Sequence, residues 1–141
     1  MRLKDKVTII TGGSRGIGFA TAEKFLEEGA IVIVAASSQE NADKAAASLK
    51  EKYPATKVDG ISPDLSSLES VREAFGECVK KYGHIDVLIN NAGISESTPF
   101  AQYTEEVFDK VMDLNVKGVF HATHAASEYM TQRGEGVILS T

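Results

Sequence analysis

Short, almost continuous apolar runs alternate along this chain with segments in which apolar side chains return every three or four positions. Val7 to Thr11, Ile31 to Ala35, Val87 to Ile89 and Val137 to Leu139 are runs of the first kind, and they read as strands buried on both faces. Between them Ile17, Ala20, Thr21 and Phe25 recur at helical spacing, then Ala42, Ala45, Leu49 and Tyr53, then Leu68, Val71, Phe75, Cys78 and Tyr82. Each predicted helix therefore has one stripe to bury. Ser66 followed by Glu69 reads as a capping box opening the third helix, and Gly29 and Gly83 read as C-terminal caps of the first and third. Thr104 reads as the cap of a fourth, longer helix reaching roughly to Arg133. Strand and helix alternating in this way predict an α/β fold, a doubly wound parallel sheet with right-handed crossovers and helices on both faces. Ligands of such a sheet bind beyond the carboxyl ends of its strands, near the point where strand order reverses. No Pro/Gly/Ser-rich linker interrupts the pattern, so residues 1–141 read as one domain.

Composition narrows the function. Of the 141 residues 43% are hydrophobic and 25% charged, enough to bury a core. The net charge of -5 argues against a nucleic-acid partner, which would call for a clustered basic face. Lys4, Lys6, Lys80 and Lys81 instead lie among acidic and apolar residues. No apolar run is long enough to span a membrane, and the residues after Met1 lack the apolar stretch of a signal peptide. The single cysteine, Cys78, falls on the apolar stripe of the third helix, where packing is its expected role; a lone thiol suits a reducing cytoplasm.

The first strand runs directly into Thr11-Gly12-Gly13-Ser14-Arg15-Gly16-Ile17-Gly18. Gly12 allows a tight turn, Gly16 lets the backbone approach a diphosphate, and Gly18 permits close packing of helix on sheet. The helix N-terminus that follows offers free N–H groups and a positive dipole. Three residues separate Gly12 from Gly16, so this is not the common G-x-G-x-x-G, and no Gly-Lys-Ser/Thr of a P-loop follows. The sequence resembles the short-chain dehydrogenase/reductase family, whose Thr-Gly-x-x-x-Gly-x-Gly motif is matched at every fixed position. Asp64-Leu65, after the third strand, matches the family's adenine-contacting acidic residue, and Asn90-Asn91-Ala92-Gly93, after the fourth, matches a motif beside the cofactor. Asn115, within Leu114-Asn115-Val116-Lys117-Gly118, matches a catalytic asparagine that holds a water in a proton relay. The resemblance covers the whole chain and implies a Rossmann fold, a nicotinamide cofactor held by Gly12, Ser14, Arg15, Gly16, Ile17, Gly18, Ser37, Ser38, Asp64, Leu65, Asn91, Ala92 and Gly93, and Asn115 as a catalytic residue.

Each residue also has a plainer reading. Asp64 could simply cap the turn Pro63-Asp64-Leu65-Ser66, and Asn90 reads as structural. Asn115 lies four residues after Val111 and eight after Val107, on a stripe that should face the core, where it could be a satisfied amide tying helix to loop. His121 and His124 share a helix face but have no third ligand at metal spacing, so they read as surface histidines and no metal is expected. Glu96 and Asp86 are isolated carboxylates with no catalytic role.

Ala36, Ser37 and Ser38 stand where NAD enzymes usually carry an acidic residue for the ribose 2′-hydroxyl. The missing carboxylate, with Arg15 in the loop, favours NADP(H) over NAD(H). In the family, a tyrosine and a lysine spaced Tyr-x-x-x-Lys exchange the proton while a serine orients the substrate oxygen. Tyr129 is followed by Arg133, and Ser140 is expected inside the last strand, so neither is assigned. The fold is expected to be truncated after the fifth strand, the chain as it stands inactive, and the uncovered apolar surface prone to association, the full-length protein being a homo-oligomer. The loop Ile94 to Tyr103 offers Ser95, Ser97, Phe100 and Tyr103 to a small-molecule substrate. The glycine-loop and Leu49 to Pro54 segments look like those of bacterial hydroxysteroid dehydrogenases acting on bile acids, and of 3-oxoacyl-carrier-protein reductases. Two other classes remain: an NADP(H)-sensing module without chemistry, and an S-adenosylmethionine-dependent methyltransferase, which normally needs an acidic residue after the second strand.

Overall fold

Five parallel strands make one sheet in the order β3-β2-β1-β4-β5 in a computed structural model that describes residues 1–94 and 98–141. The strands are β1 (Val7–Thr11), β2 (Ile31–Ala35), β3 (Val58–Ile61), β4 (Val87–Asn90) and β5 (Val137–Ser140). They alternate with α1 (Gly16–Glu27), α2 (Gln39–Lys52), α3 (Leu68–Tyr82), α4 (Glu105–Met112) and α5 (Gly118–Arg133). The chain steps outward from β1 to β3 and then crosses back to pair β4 with β1 (Ile10 opposite Ile89). Strand order therefore reverses between β1 and β4, which sets the crevice above their carboxyl ends.

Successive side chains of a strand point to opposite faces, and the core divides accordingly. Val7, Ile9, Ile33 and Leu88 pack with Val71, Phe75 and Cys78 of α3 and Ala122, Ala126 and Met130 of α5. Ile10, Val32, Val34 and Ile89 pack with Ala22 and Leu26 of α1 and Ala45 and Leu49 of α2. Burial pushes the Cys78 thiol up to about 11, so this side chain behaves as a small hydrophobe.

Several sequence expectations shift. The third strand has no apolar run, because Asp59 and Gly60 interrupt it at the sheet edge. The stripe of α1 is Gly18, Ala22 and Leu26, while Ile17 and Ala20 are exposed. Gly18, with no side chain, allows the closest approach, and hydrophobic spacing alone passes over it. The third helix is capped one residue later than expected, by Ser67 accepting from the Ser70 N–H, because Ser66 is committed to Asp64. The long fourth helix is two α-helical pieces joined by a π-helical turn, Asp113–Lys117, in which the Gly118 N–H reaches the Asp113 carbonyl. Finally, β5 stands at the edge of the sheet that these 141 residues form, with Val137 and Leu139 half exposed.

Candidate functional site

At the end of β1 the chain turns through Gly12 and Gly16, whose φ angles of +66° and +57° lie in the left-handed region. A Cβ on Gly16 would meet nothing within 4 Å, whereas one on Gly18 would stand 2.1 Å from the Gly12 carbonyl oxygen. Gly18 thus seats α1 under the loop, and Gly16 leaves a bare stretch of backbone facing open space. No side chain caps α1, so its first-turn N–H groups remain at the positive end of the helix dipole.

This loop is tied to the one after β4. The Thr11 hydroxyl accepts from the Asn91 and Ala92 N–H groups, both at 3.0 Å, and donates to the Ile89 carbonyl at 3.4 Å. Asn91 Nδ2 donates to the Gly12 carbonyl at 3.2 Å. Two loops on neighbouring strands are therefore held together by side chains from both motifs. Asn90 is buried and structural, donating to Thr123 Oγ1 at 3.0 Å.

Beyond β3, Asp64 Oδ1 accepts from the Ser66 N–H and hydroxyl at 3.0 and 2.6 Å. These bonds hold the Asp64 carboxyl below the usual carboxylate range. Asp64 thus serves the turn and still lines the cavity. His121 Nδ1 lies 2.6 Å from the Leu65 carbonyl and steadies the same loop from α5.

Asn115 sits within the π-helical turn, half-buried rather than facing the core. Its Oδ1 accepts from the Ile94 N–H at 2.8 Å and its Nδ2 donates to the Ile94 carbonyl at 2.7 Å. A Cβ on Gly93 would stand 3.1 Å from that Oδ1, so the glycine of Asn90-Asn91-Ala92-Gly93 is what admits the amide. One Nδ2 hydrogen and one Oδ1 lone pair remain for another partner.

These segments surround a cavity of about 1490 Å³, larger than the usual pocket for one small metabolite. Gly12, Ser14, Arg15, Gly16, Ile17, Ser37, Asp64, Leu65, Asn91, Ala92 and Gly93 line it. Ile17, 72% exposed, presents an apolar surface there. Gly18, Ser38 and Asn115 do not line it: Gly18 is buried beneath the loop, Asn115 stands behind Ile94, and Ser38 is turned to α2, whose Asn41 N–H it accepts at 3.2 Å. The sequence reading missed Thr11, which couples the loops, and Lys44, which lines the cavity from α2. Lys44 was legible in the helical period, flanking the buried stripe of Ala42, Ala45 and Leu49. Of the proposed substrate loop, Ser95 and Ser97 lie outside the described residues, as does Glu96; Phe100 is exposed in a short 3-10 turn.

His124 is not a free surface histidine, since its Nε2 lies 3.1 Å from both Arg72 Nη2 and Glu128 Oε1. No cluster of three or more His, Cys, Asp or Glu side chains suits a metal among the described residues. Asp86 is buried and structural: it accepts from the Val7 N–H at 2.8 Å and from Arg133 at 2.9 Å, with His84 at 2.8 Å. Burial pushes its carboxyl up, but the Val7 bond, His84 and Arg133 together hold it below the ordinary value.

The pattern of the short chain dehydrogenases matches residues 6–141. This chain belongs to that family. It is 48% identical over its whole length to a 3alpha-hydroxysteroid dehydrogenase of Mediterraneibacter gnavus, covering 56% of that relative. Over 99% of the chain it is 40% identical to a 3-oxoacyl-acyl-carrier-protein reductase of Thermotoga maritima, again covering 56%. Among solved structures, an NAD+-bound xylitol dehydrogenase superimposes on 99% of the chain at a TM-score of 0.93 and 33% identity, with 54% of that protein covered. The chain thus spans about half the length of the relatives it matches. Family membership supports the doubly wound fold and the nicotinamide-dependent class of enzyme, and leaves the choice between the two nicotinamide cofactors open.

Proposed function

We propose that this short chain dehydrogenase is the cofactor-binding part of an NADP(H)-preferring oxidoreductase that acts on a carbonyl or secondary alcohol of a hydroxysteroid. The observation that carries the cofactor assignment is Gly16, whose bare backbone opens into the cavity at the start of an uncapped helix. The chain fits the group: the amides of the loop from Gly12 to Ile17 would hold a diphosphate, Asp64 and Leu65 would border the adenine, and Asn91, Ala92 and Gly93 would flank the other end. Bound there, the nicotinamide supplies the hydride acceptor or donor. Asn115 pins Ile94 beside the reacting end and offers its remaining Nδ2 hydrogen and Oδ1 lone pair to a water of the proton relay. Arg15 takes part in none of the ion pairs among the described residues, and Ser37 carries no charge, so a 2′-phosphate on that side would meet the attraction of a free guanidinium.

A hydroxysteroid is favoured over a 3-oxoacyl thioester by the higher identity, 48% against 40%, to a relative of the first kind. The buried free thiol of Cys78 suits the cytoplasm. Titration with NADPH, followed by its fluorescence, should saturate, and Arg15→Ala should weaken NADPH binding at least about tenfold while changing NADH binding less than about threefold. Equal losses for the two would overturn the NADP(H) preference. Turnover of 3-hydroxysteroids by the whole protein, with none of 3-oxoacyl thioesters, is the expected substrate result; the reverse would replace the first class by the second.

A further inference from the structure

The wall of the cavity formed by α2 belongs to no motif of the sequence. Asn41, Lys44, Ala45 and Ser48 line it at spacings of three, four and seven from Asn41, so one face of α2 borders the same space as Arg15, just before α1, and Phe19 of α1. The charged groups of the cavity are unevenly placed. Arg15, at the entry to α1, and Lys44, on α2, are the charged residues of that side, whereas Asp64, Glu106, Asp109 and Asp113 lie on the loop after β3 and around α4, with Lys110 among them. A dianion is therefore attracted to the α1/α2 end and repelled from the opposite one.

We propose that Lys44 is a second cation for the 2′-phosphate, acting beside Arg15, and that the Asn41–Lys44 face of α2 sets the preference for the phosphorylated cofactor. The proposal rests on the dinucleotide reading given above. A phosphate monoester carries close to two negative charges at neutral pH, and Arg15 alone balances one of them. Lys44 is paired with Glu40 at 3.1 Å, but both side chains are more than 70% exposed, at 72% and 76%. Such a pair contributes little and breaks readily when a stronger anion arrives. Its flexible ammonium suits a partner whose position the fold does not fix in advance.

Adenosine 2′,5′-bisphosphate and adenosine 5′-monophosphate differ only in the 2′-phosphate and serve as the probes, titrated by calorimetry against the full chain. Lys44→Gln should raise the Kd of the bisphosphate about five- to tenfold, leave the monophosphate within twofold, and make bisphosphate binding less sensitive to salt. Lys44→Arg should restore the difference. Lys44 is well exposed, so a folding defect is not expected, and an unchanged melting temperature of Lys44→Gln checks this. An unchanged bisphosphate-to-monophosphate ratio in Lys44→Gln overturns the role of Lys44, as does an equal loss for both ligands. Failure of the unaltered protein to bind either probe overturns the dinucleotide reading instead.

Discussion

Gly16 and Gly18 stand two positions apart and do unlike things, which single substitutions separate. An alanine methyl at Gly18 collides with the backbone carbonyl of Gly12, an atom that cannot turn aside, so Gly18→Ala should cost about 3 kcal/mol or more in urea denaturation. At Gly16 the same methyl enters open space. Gly16→Ala should cost only about 1 kcal/mol for the left-handed backbone, yet weaken NADPH at least about tenfold, because the methyl occupies the space a diphosphate needs. Similar stability losses in the two variants would contradict this division. Thr11 can be tested in the same way. Thr11→Val leaves the Asn91 and Ala92 N–H groups without their acceptor and should cost about 2 kcal/mol, while Thr11→Ser keeps the oxygen and most of the stability.

At the level of elements, Asp86 joins the start of β1, the residues before β4 and the end of α5 through one buried carboxylate. Because its folded pKa lies below the ordinary value, the stability it contributes is present above that value and is lost as pH falls through the folded one. Asp86→Asn should therefore flatten the acid limb of the stability curve, and Asp86→Ala should cost about 2–4 kcal/mol at neutral pH. A melting series from pH 7 down to pH 2 that looks the same in both proteins would remove Asp86 as the tie. The π-helical turn works at this scale too. It adds a residue to one turn of the helix, and Asn115, which holds the Ile94 backbone, lies within that turn.

The molecule as a whole presents an apolar surface along its α4, π-turn and α5 side. Phe108, Val116 and Phe120 are at least half exposed, at 50%, 51% and 61%, and Val137 and Leu139 of the outer strand are similarly open at 50% and 54%. We propose that the protein self-associates through this side. Sedimentation should show a species larger than one chain, and Phe120→Asp should shift it towards the monomer while leaving NADPH binding intact; a monodisperse monomer at tens of micromolar would overturn the proposal.

Much of this was written in local chemistry. Hydrophobic period and turn residues place β1, β2, β4 and the stripes of α2 and α3; the glycine loop is marked by its place between strand and helix, Asp64-Leu65 and Asn91-Ala92-Gly93 by the family resemblance, and all three segments line the cavity. Such features depend on neighbours in the chain: a strand followed by Gly and an uncapped helix start can be read in order. What depended on distant neighbours was not legible. β3 forms at an edge that tolerates Asp59, α1 presses Gly18 instead of Ile17 to the sheet, and the helix after Thr104 changes pitch between two α-helical pieces. Thr11 meets a loop 80 residues away, and Lys44 comes to line the same cavity as Arg15 only once β1 and β2 lie side by side. The chain specified its elements and its phosphate-binding loop through short-range sterics and capping. Which polar side chains were to meet was decided by sheet order and helix packing, because those contacts join residues that no local spacing connects.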